Sequence, residues 1–255
     1  MNSLVLEDSP RPGVTVLTLN RPDKRNALNV PLMQALCGAV KRVSEQDGQR
    51  VLVFQGAGPA FCSGLDLREA QDSSMSGASV ELVRTMLESV YRCPCATVAA
   101  VHGAALAGGA GLMAACDIAI ASMDTTLGFP EVQRGMVSGL VMTFLRRQLH
   151  ERHARELLLL AESISAERAA ELGLINQAVP ADMLGATVER CINGLLKAPP
   201  GAIRETKALF DALWHHPLGA DLNMAHGVHA KMRETAEAQE GMRAFLDKRP
   251  PAWLD

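Results

Sequence analysis

Residues 97–121 read TVAAVHGAALAGGAGLMAACDIAIA, and this stretch decides the fold. The apolar run from Thr97 to Val101 predicts a short buried strand. A turn rich in glycine and alanine follows, and a helix of small residues is expected near Gly109 to Cys116. Ile118 to Ala121 predicts the next strand. Strand, glycine turn, helix and strand in close succession are typical of a layered α/β core.

The flanking segments extend this α/β pattern toward the N-terminus, and helices replace it toward the C-terminus. Alternating or continuous apolar residues predict strands at Val14 to Leu19 and Val51 to Phe54. Helical spacing of apolar residues predicts helices at Leu32 to Val43 and Ser79 to Arg92. After about Gly139 the pattern is helical, with helices predicted at Val141 to Leu149, His153 to Ala161, Ala166 to Leu172, Asp182 to Leu196, Ala202 to Leu213 and Asp221 to Leu246. The chain is therefore expected to be an α/β core followed by a helical C-terminal part.

Composition and charge exclude several classes of protein. The chain has 255 residues, of which 48% are hydrophobic and 21% charged, as in ordinary globular proteins. It has no apolar stretch long enough for a membrane span and no secretory signal, so we expect a cytoplasmic protein that does not associate with membranes. A net charge of −3 gives no support for nucleic-acid binding. The six cysteines form no CxxC pair and are expected to be reduced and mostly buried.

Two turns that follow predicted strands could carry chemistry. The first is Ala60 to Leu67, with the sequence AFCSGLDL, and the second is His102 to Gly111, which runs into a helix. The N–H groups of a helix's first turn have no acceptor within the helix, so such a turn suits a developing oxyanion. The glycines would also serve tight packing alone, and the residues by themselves leave both interpretations open.

Other motifs are incomplete. Gly109-Ala110-Gly111 lacks the third glycine of a dinucleotide-binding loop, and no serine lies in a GxSxG turn. His226 and His229 could share a helical face, but no third metal ligand stands out. We therefore predict no metal site and no permanently bound cofactor. The polar segment Glu69 to Gly77 is expected to be a loop, either a mobile lid over a ligand site or a plain surface loop.

Five short motifs in a fixed order resemble those of the crotonase superfamily, the enoyl-CoA hydratases and isomerases, along nearly the whole chain. They are NRPDKRNAL (Asn20 to Leu28), FCSGLDL (Phe61 to Leu67), AGGAGLMAACD (Ala107 to Asp117), LGFPEV (Leu127 to Val132) and EGMRAFLDKR (Glu240 to Arg249). The resemblance implies a ββα spiral core with an acyl-CoA site over residues 1–195 and a helical trimerisation region over residues 196–255. It also implies a homotrimer or a homohexamer built as a dimer of trimers.

The resemblance implies a role for individual residues. The backbone N–H groups of Leu65 and Gly108 would polarise the thioester carbonyl of an acyl-CoA substrate, and Glu131 would move protons. Coenzyme A, as part of the substrate, would be contacted by Lys24, Arg25, Ala27, Ser63, Asp66, Leu67, Phe245 and Lys248. Of these, Phe245 and Lys248 are expected to come from the C-terminal helix of a neighbouring subunit.

Position 111 departs from the family pattern, because many hydratases of the family carry a second glutamate where this chain has Gly111. One carboxylate suffices for a Δ3,Δ2-enoyl-CoA isomerase. It could also catalyse hydration, by taking a proton from water and returning it to Cα. The sequence around Gly111 and Glu131 is similar to methylglutaconyl-CoA and isohexenylglutaconyl-CoA hydratases. It therefore predicts hydration of a branched, glutaconyl-type enoyl-CoA in leucine or acyclic terpene breakdown, with an isomerase or a non-catalytic scaffold as alternatives. The missing side chain is expected to leave a space beside the reacting carbons, which a carboxymethyl branch of the substrate could fill.

Overall fold

The computed structural model describes residues 3–70, 73–214 and 217–254, and these residues form nine strands and eleven helices. The strands are β1 (Val5–Arg11), β2 (Val14–Leu19), β3 (Val51–Gly56), β4 (Ala96–Val101), β5 (Ala104–Leu106), β6 (Ile118–Ser122), β7 (Thr126–Gly128), β8 (Ile164–Ser165) and β9 (Gln177–Val179). The helices are α1 (Val30–Ser44), α2 (Leu67–Ala70), α3 (Ser73–Tyr91), α4 (Gly108–Ala114), α5 (Gly139–Gln148), α6 (Glu151–Leu160), α7 (Ala166–Leu172), α8 (Leu184–Leu195), α9 (Pro200–Ala212), α10 (Leu218–Arg233) and α11 (Ala236–Asp247). Short 3₁₀ turns lie at Pro22–Lys24, Val132–Arg134, Ala181–Met183 and Ala252–Leu254.

The larger sheet has six strands in the order β1-β2-β3-β4-β6-β9. Strand β1 is antiparallel to β2, and all the other neighbours are parallel. Parallel strands are usually covered on both faces, which explains why β4 consists of buried residues only. One face packs against the main apolar core with α1, and the other packs against Val188 and Ile192 of α8.

A smaller sheet, β5-β7-β8, runs alongside the first. Isolated parallel bridges join Cys62 to Ala105 and Leu28 to Leu65. Each successive repeat of the chain therefore places a short extended segment in this second layer. The repeated order is a strand of the large sheet, a short extended piece in the second layer, and a helix, as in β4-β5-α4 and β6-β7-α5. This ββα spiral confirms the expected fold class, an α/β core of the crotonase type followed by a helical C-terminal region.

Several local predictions need correction. The helix predicted over Asp221 to Leu246 is wrong, because the chain breaks after Arg233 and Thr235 caps a new helix, α11, by accepting a hydrogen bond from the N–H of Ala238. Strands also continue beyond Gly139, since β9 pairs with β6. The loop predicted over residues 69–77 is mostly helical, with α3 beginning at Ser73, while positions 71 and 72 lie outside the described residues. Among the described helices, none is both long enough and apolar enough to cross a membrane.

The buried side chain of Asn26 ties its own loop to a second loop that is distant in sequence. Its side chain is fully buried, and its Nδ2 donates to the carbonyl oxygens of Ala57 at 2.9 Å and Ala60 at 2.8 Å. Its Oδ1 accepts from the N–H of Arg21 at 2.8 Å. The backbone of Asn26 has a φ of +55°, a conformation that asparagine tolerates better than most residues. One buried amide therefore fixes the segment of residues 21–26 against the turn that follows β3.

Replacing Asn26 with alanine should lower the free energy of unfolding by about 2–4 kcal/mol, because three backbone groups lose their buried partner. Urea unfolding followed by circular dichroism measures this change. The control is Asn223→Ala on the exposed face of α10, where we expect a change within about 0.5 kcal/mol. Equal effects of the two substitutions would contradict the role of Asn26 as a buried link.

Candidate active site

A cavity of about 590 Å³ collects most of the residues predicted from the sequence motifs. Its lining includes Glu131, Leu65, Gly108, Arg25, Ala27, Ser63, Asp66, Leu67, Phe245 and Lys248. Two predicted residues do not line it: Lys24 is exposed on the neighbouring 3₁₀ turn, and Gly111 lies deeper in α4. The residues that line the cavity come from loops and helices far apart in sequence, which the fold brings to one place.

The first turn presents the N–H group of Leu65. Leu28 donates its N–H to the carbonyl of Gly64 at 2.8 Å and accepts from the N–H of Asp66 at 2.9 Å. Since both neighbours of Leu65 bond toward Leu28, the N–H of Leu65 itself points the opposite way, toward the second turn. Gly64 has a φ of +91°, and a Cβ there would lie 2.8 Å from the Cβ of Ala107. Only glycine allows the two turns to approach this closely.

The second turn presents the N–H group of Gly108, the first residue of α4, which has no acceptor within the helix. The preceding residue, Ala107, has φ of +49° and ψ of −123°, a combination that L-residues rarely adopt. Its N–H donates to the carbonyl of Gly128, and its carbonyl accepts from the N–H of Gly111, each at 2.9 Å. A Cβ on Gly108 would lie 4.0 Å from the N of Leu65, so the two N–H groups are neighbours. Two adjacent backbone donors at a cavity suit an oxyanion.

Glu131 places a carboxyl group in the same cavity. It follows Pro130 at the end of the β7 loop and is only 7% exposed. Burial raises its pKa, while a hydrogen bond from Ser138 and the positive charge of Arg134 oppose that shift. Within the described structure, its Oε2 has no hydrogen-bond partner. A buried carboxyl group with a raised pKa and an unsatisfied oxygen is suited to accept and return a proton.

The space predicted beside Gly111 is absent. A Cβ on Gly111 would lie 2.8 Å from Cγ2 of Val141 and 3.7 Å from Cδ1 of Leu87. The side chain of Val141, from α5, therefore fills the place that a second carboxylate would occupy in the family pattern. The prediction was wrong because a glycine leaves room only when no neighbouring element moves into it, and sequence alone does not show that neighbour.

The C-terminal helix packs on the cavity of its own chain. Phe245 and Lys248 line the same cavity as Glu131, so a neighbouring subunit is not needed to supply them, contrary to the expectation from the motifs. Helix α11 lies directly on the Val132–Arg134 turn, since a Cβ on Gly135 would lie 2.6 Å from the backbone of Glu237. A glycine at this contact allows the helix to reach the loop that carries Glu131.

Sequence reasoning did not identify four polar residues of this cavity: Arg68, Arg134, Ser138 and His229. Arg134 and Ser138 follow Glu131 closely, and a search for polar neighbours of the glutamate would have found them. His229 lies in α10, far from Glu131 in sequence, so its place in the cavity could not be found in this way. Its Nδ1 lies 2.8 Å from the carbonyl oxygen of Val137, which can only accept, so Nδ1 carries the proton.

The electrostatics of His229 favour a neutral ring. Burial lowers the pKa of His229, and the nearby Arg233 and His226 lower it further, against the hydrogen bond to Val137. A neutral ring protonated at Nδ1 leaves Nε2 as an acceptor. Over the described residues, no group of three or more histidine, cysteine, aspartate or glutamate side chains is placed to hold a metal ion.

The other side of the cavity is apolar. Val83 from α3, Met136, and Leu140 and Val141 from α5 line it. An apolar wall next to a carboxyl group and two backbone donors fits a molecule with a hydrocarbon part and a polarisable carbonyl. The mouth carries the exposed cations Arg25, Arg68 and Lys248, which suit an anionic ligand.

Comparisons with known proteins agree with this architecture. The model of the enoyl-CoA hydratase/isomerase family matches residues 10–255. A Thermus thermophilus protein assigned as an enoyl-CoA hydratase is 36% identical over 244 residues, which cover 93% of this chain and 96% of the relative. Mevalonyl-coenzyme A hydratase sidH of Aspergillus fumigatus is 33% identical over 250 residues, covering 96% and 92%. The crystal structure of an enoyl-CoA hydratase from Mycobacterium avium aligns with a TM-score of 0.89 at 31% identity, covering 99% of this chain and 100% of that one.

The motifs, the spiral fold and these matches cover nearly the whole chain and agree with one another, so this protein is an enzyme that belongs to the enoyl-CoA hydratase/isomerase family of the crotonase superfamily.

Proposed function

We propose that this enzyme adds water across the 2,3 double bond of an enoyl-CoA thioester. The observation that carries the proposal is the position of Glu131, a buried carboxyl group with an unpartnered oxygen in the same cavity as the N–H groups of Leu65 and Gly108. The names of the relatives support hydration in general, since several are described as enoyl-CoA hydratases. Coenzyme A is then part of the substrate and not a resident cofactor.

In the proposed reaction, the thioester oxygen accepts hydrogen bonds from Leu65 and Gly108, which makes Cβ electrophilic. Ionised Glu131 takes a proton from water as the hydroxyl oxygen bonds to Cβ, and the electron pair of the double bond moves toward the thioester oxygen. Glu131 then returns the proton to Cα, so that one water is added and the carboxylate is regenerated. One backbone donor of this kind commonly contributes roughly 10²–10³ in rate.

A single carboxyl group would perform both proton transfers. The other carboxyl group of the cavity lining, that of Asp66, is paired with Arg21 at 3.2 Å. Position 111, where many hydratases of the family have a second glutamate, packs against Val141. Water is then activated and Cα is protonated by the same group in succession. This order is chemically sufficient, because the proton removed in the first step is the one delivered in the second.

The proposed substrate is a branched enoyl-CoA with a carboxylate on its acyl chain, of the glutaconyl type. The motifs around Gly111 and Glu131 support it, and so do the polar groups that Arg134 and His229 bring to the cavity. One relative is named as a hydratase of mevalonyl-CoA. Because Val141 fills the space beside Gly111, a branch on the substrate would have to lie elsewhere in the cavity.

A Δ3,Δ2-enoyl-CoA isomerase is the second candidate, and the lack of a second carboxyl group at position 111 favours it. Glu131 alone could carry a proton between Cγ and Cα while the same two N–H groups stabilise the dienolate. A non-catalytic scaffold would explain Gly111 but gives no reason for the buried, unpartnered Glu131 beside the two glycine turns.

We also propose that residues 196–255 mediate assembly into a homotrimer or a dimer of trimers. Helix α9 has no buried residue, and it exposes Leu209 and Phe210, with Leu213 just beyond its end. Met224 of α10 is 76% exposed. Large apolar side chains concentrated on neighbouring helices are typical of a protein–protein interface.

Glu131→Gln should reduce turnover by at least about 10²-fold, because the amide cannot take the proton from water. Initial rates on crotonyl-CoA, 3-methylglutaconyl-CoA and isohexenylglutaconyl-CoA measure hydration, and conversion of 3-hexenoyl-CoA to its 2-enoyl isomer measures isomerisation. The control is Glu156→Gln on the exposed face of α6. A Glu131→Gln enzyme with undiminished rates would rule out this carboxylate as the acid/base. If 3-hexenoyl-CoA were isomerised but none of the 2-enoyl-CoAs hydrated, the isomerase would be the correct assignment.

Ser138→Ala should move the acidic limb of the pH dependence of kcat/KM to higher pH. The reaction needs ionised Glu131, and burial raises its pKa above the ordinary 4.5, so activity falls as pH drops through that raised pKa. The hydrogen bond from Ser138 stabilises the ionised form, and its removal raises the pKa of Glu131 further. The matched control is Ser89→Ala in α3, outside the cavity. A limb that stays in place in Ser138→Ala would refute the contribution of this hydroxyl group.

Phe210→Asp should convert the assembly to smaller species by placing a charge on the apolar surface of α9, of which Phe210 is 71% exposed. Size-exclusion chromatography with light scattering measures the mass. The control is Leu159→Asp. Leu159 is 65% exposed on α6 and lies outside the α9 surface. If the wild-type protein is monomeric at micromolar concentration, the proposed trimer is wrong.

A further inference from the structure

Arg134 is a cation of the active-site cavity to which the proposed reaction assigns no contact with the ligand. It belongs to the Val132–Arg134 turn immediately after Glu131 and lines the same cavity. In the part of the chain that the structure describes, Arg134 forms no ion pair with a carboxylate. Arg21, in contrast, is paired with Asp66, and Arg249 with Glu240. Partial burial of this guanidinium lowers the pKa of Arg134, against the opposing effect of the charge of Glu131. An anionic group of a ligand would offset the unfavourable burial further.

The guanidinium group of Arg134 lies over an aromatic ring. Its central carbon lies 4.2 Å from the centroid of Phe245, which itself lines the cavity and is 51% exposed. A cation–π contact does not use the guanidinium N–H groups as hydrogen-bond donors. Two such N–H groups match the two oxygens of a carboxylate or phosphate.

The backbone that carries Arg134 is fixed by tertiary contacts. Gly135, with a φ of +68°, lies so close to α11 that a Cβ would come within 2.6 Å of the backbone of Glu237. Two residues further along the chain than Arg134, Met136 packs with Ala238 and Met242 of α11 in a small buried cluster. Arg134 is therefore a positioned cation of the cavity wall and not a freely mobile surface arginine.

We propose that Arg134 binds an anionic oxygen group of the thioester ligand through its guanidinium N–H groups. The inference rests on the proposed function, since it assumes an acyl-CoA in the cavity. Two parts of that ligand carry anionic oxygens: a carboxylate on the acyl chain and the phosphates of coenzyme A. The acyl carboxylate is favoured because Arg134 shares a turn with Glu131, the group that would act at Cα and Cβ, whereas the exposed Arg25 and Lys248 at the mouth are available for phosphates.

The test uses saturated thioesters, which cannot be hydrated, so that binding is measured independently of catalysis. Isothermal titration compares glutaryl-CoA, butyryl-CoA and S-butyrylpantetheine, with wild type and Arg134→Met. If the acyl carboxylate is the anion, wild type should bind glutaryl-CoA about tenfold or more tightly than butyryl-CoA, and Arg134→Met should abolish that difference. If a phosphate is the anion, Arg134→Met should weaken both CoA thioesters equally and leave S-butyrylpantetheine unchanged. Arg134→Lys, which keeps the charge, should retain part of the affinity in either case.

The control is Arg243→Met, which removes the same charge from the exposed face of α11 and should leave all three affinities unchanged. The proposal would be overturned if Arg134→Met bound both CoA thioesters with unchanged affinity. It would also be overturned if this substitution weakened the affinity for all three ligands equally. Failure of the proposed function is distinguishable, because it would show as absent turnover of enoyl-CoAs by a protein that still binds these saturated thioesters through Arg134.

Discussion

The close approach of the two glycine turns is the constraint on which the rest of the active site depends. Cys62 pairs with Ala105 across the second layer, and Gly64 lies where any side chain would collide with Ala107. The backbone of Ala107 adopts a conformation that costs about 1–3 kcal/mol for an L-residue, and two backbone hydrogen bonds hold it there. This conformation places the N–H of Gly108 beside the N–H of Leu65 at the cavity. A relaxed loop at either place would separate the two donors.

Opposing electrostatic effects act on Glu131. Burial raises its pKa, and the Ser138 hydroxyl and the Arg134 guanidinium limit that rise, so the group can be ionised and yet remain a useful base. Position 111, a glycine packed against Val141, contributes no further carboxyl group that would repel Glu131. The chemistry of the cavity is thereby concentrated on one carboxyl group and its two polar neighbours.

The C-terminal helices complete the cavity of their own chain. His229 of α10, and Phe245 and Lys248 at the end of α11, belong to the region predicted for oligomerisation, yet they line the space around Glu131. Residues 196–255 therefore shape the site directly. The apolar surface of α9 does not take part in forming the cavity, because Leu209 and Phe210 are exposed and do not line it.

The sequence by itself determined the alternation of strands and helices in the α/β core, because strands and glycine turns are local patterns. The spiral and most of the cavity lining followed from the resemblance of five short motifs, in a fixed order, to the crotonase superfamily. Gly64, Gly108 and Glu131 could be placed in this way. The helix break at Thr235 was missed because its capping hydrogen bond competes with a continuing apolar pattern. Only the tertiary structure decided that Val141 fills the place beside Gly111 and that α11 brings Phe245 to Arg134 of the same chain. Both depend on packing between elements distant in sequence, which no local pattern of residues specifies.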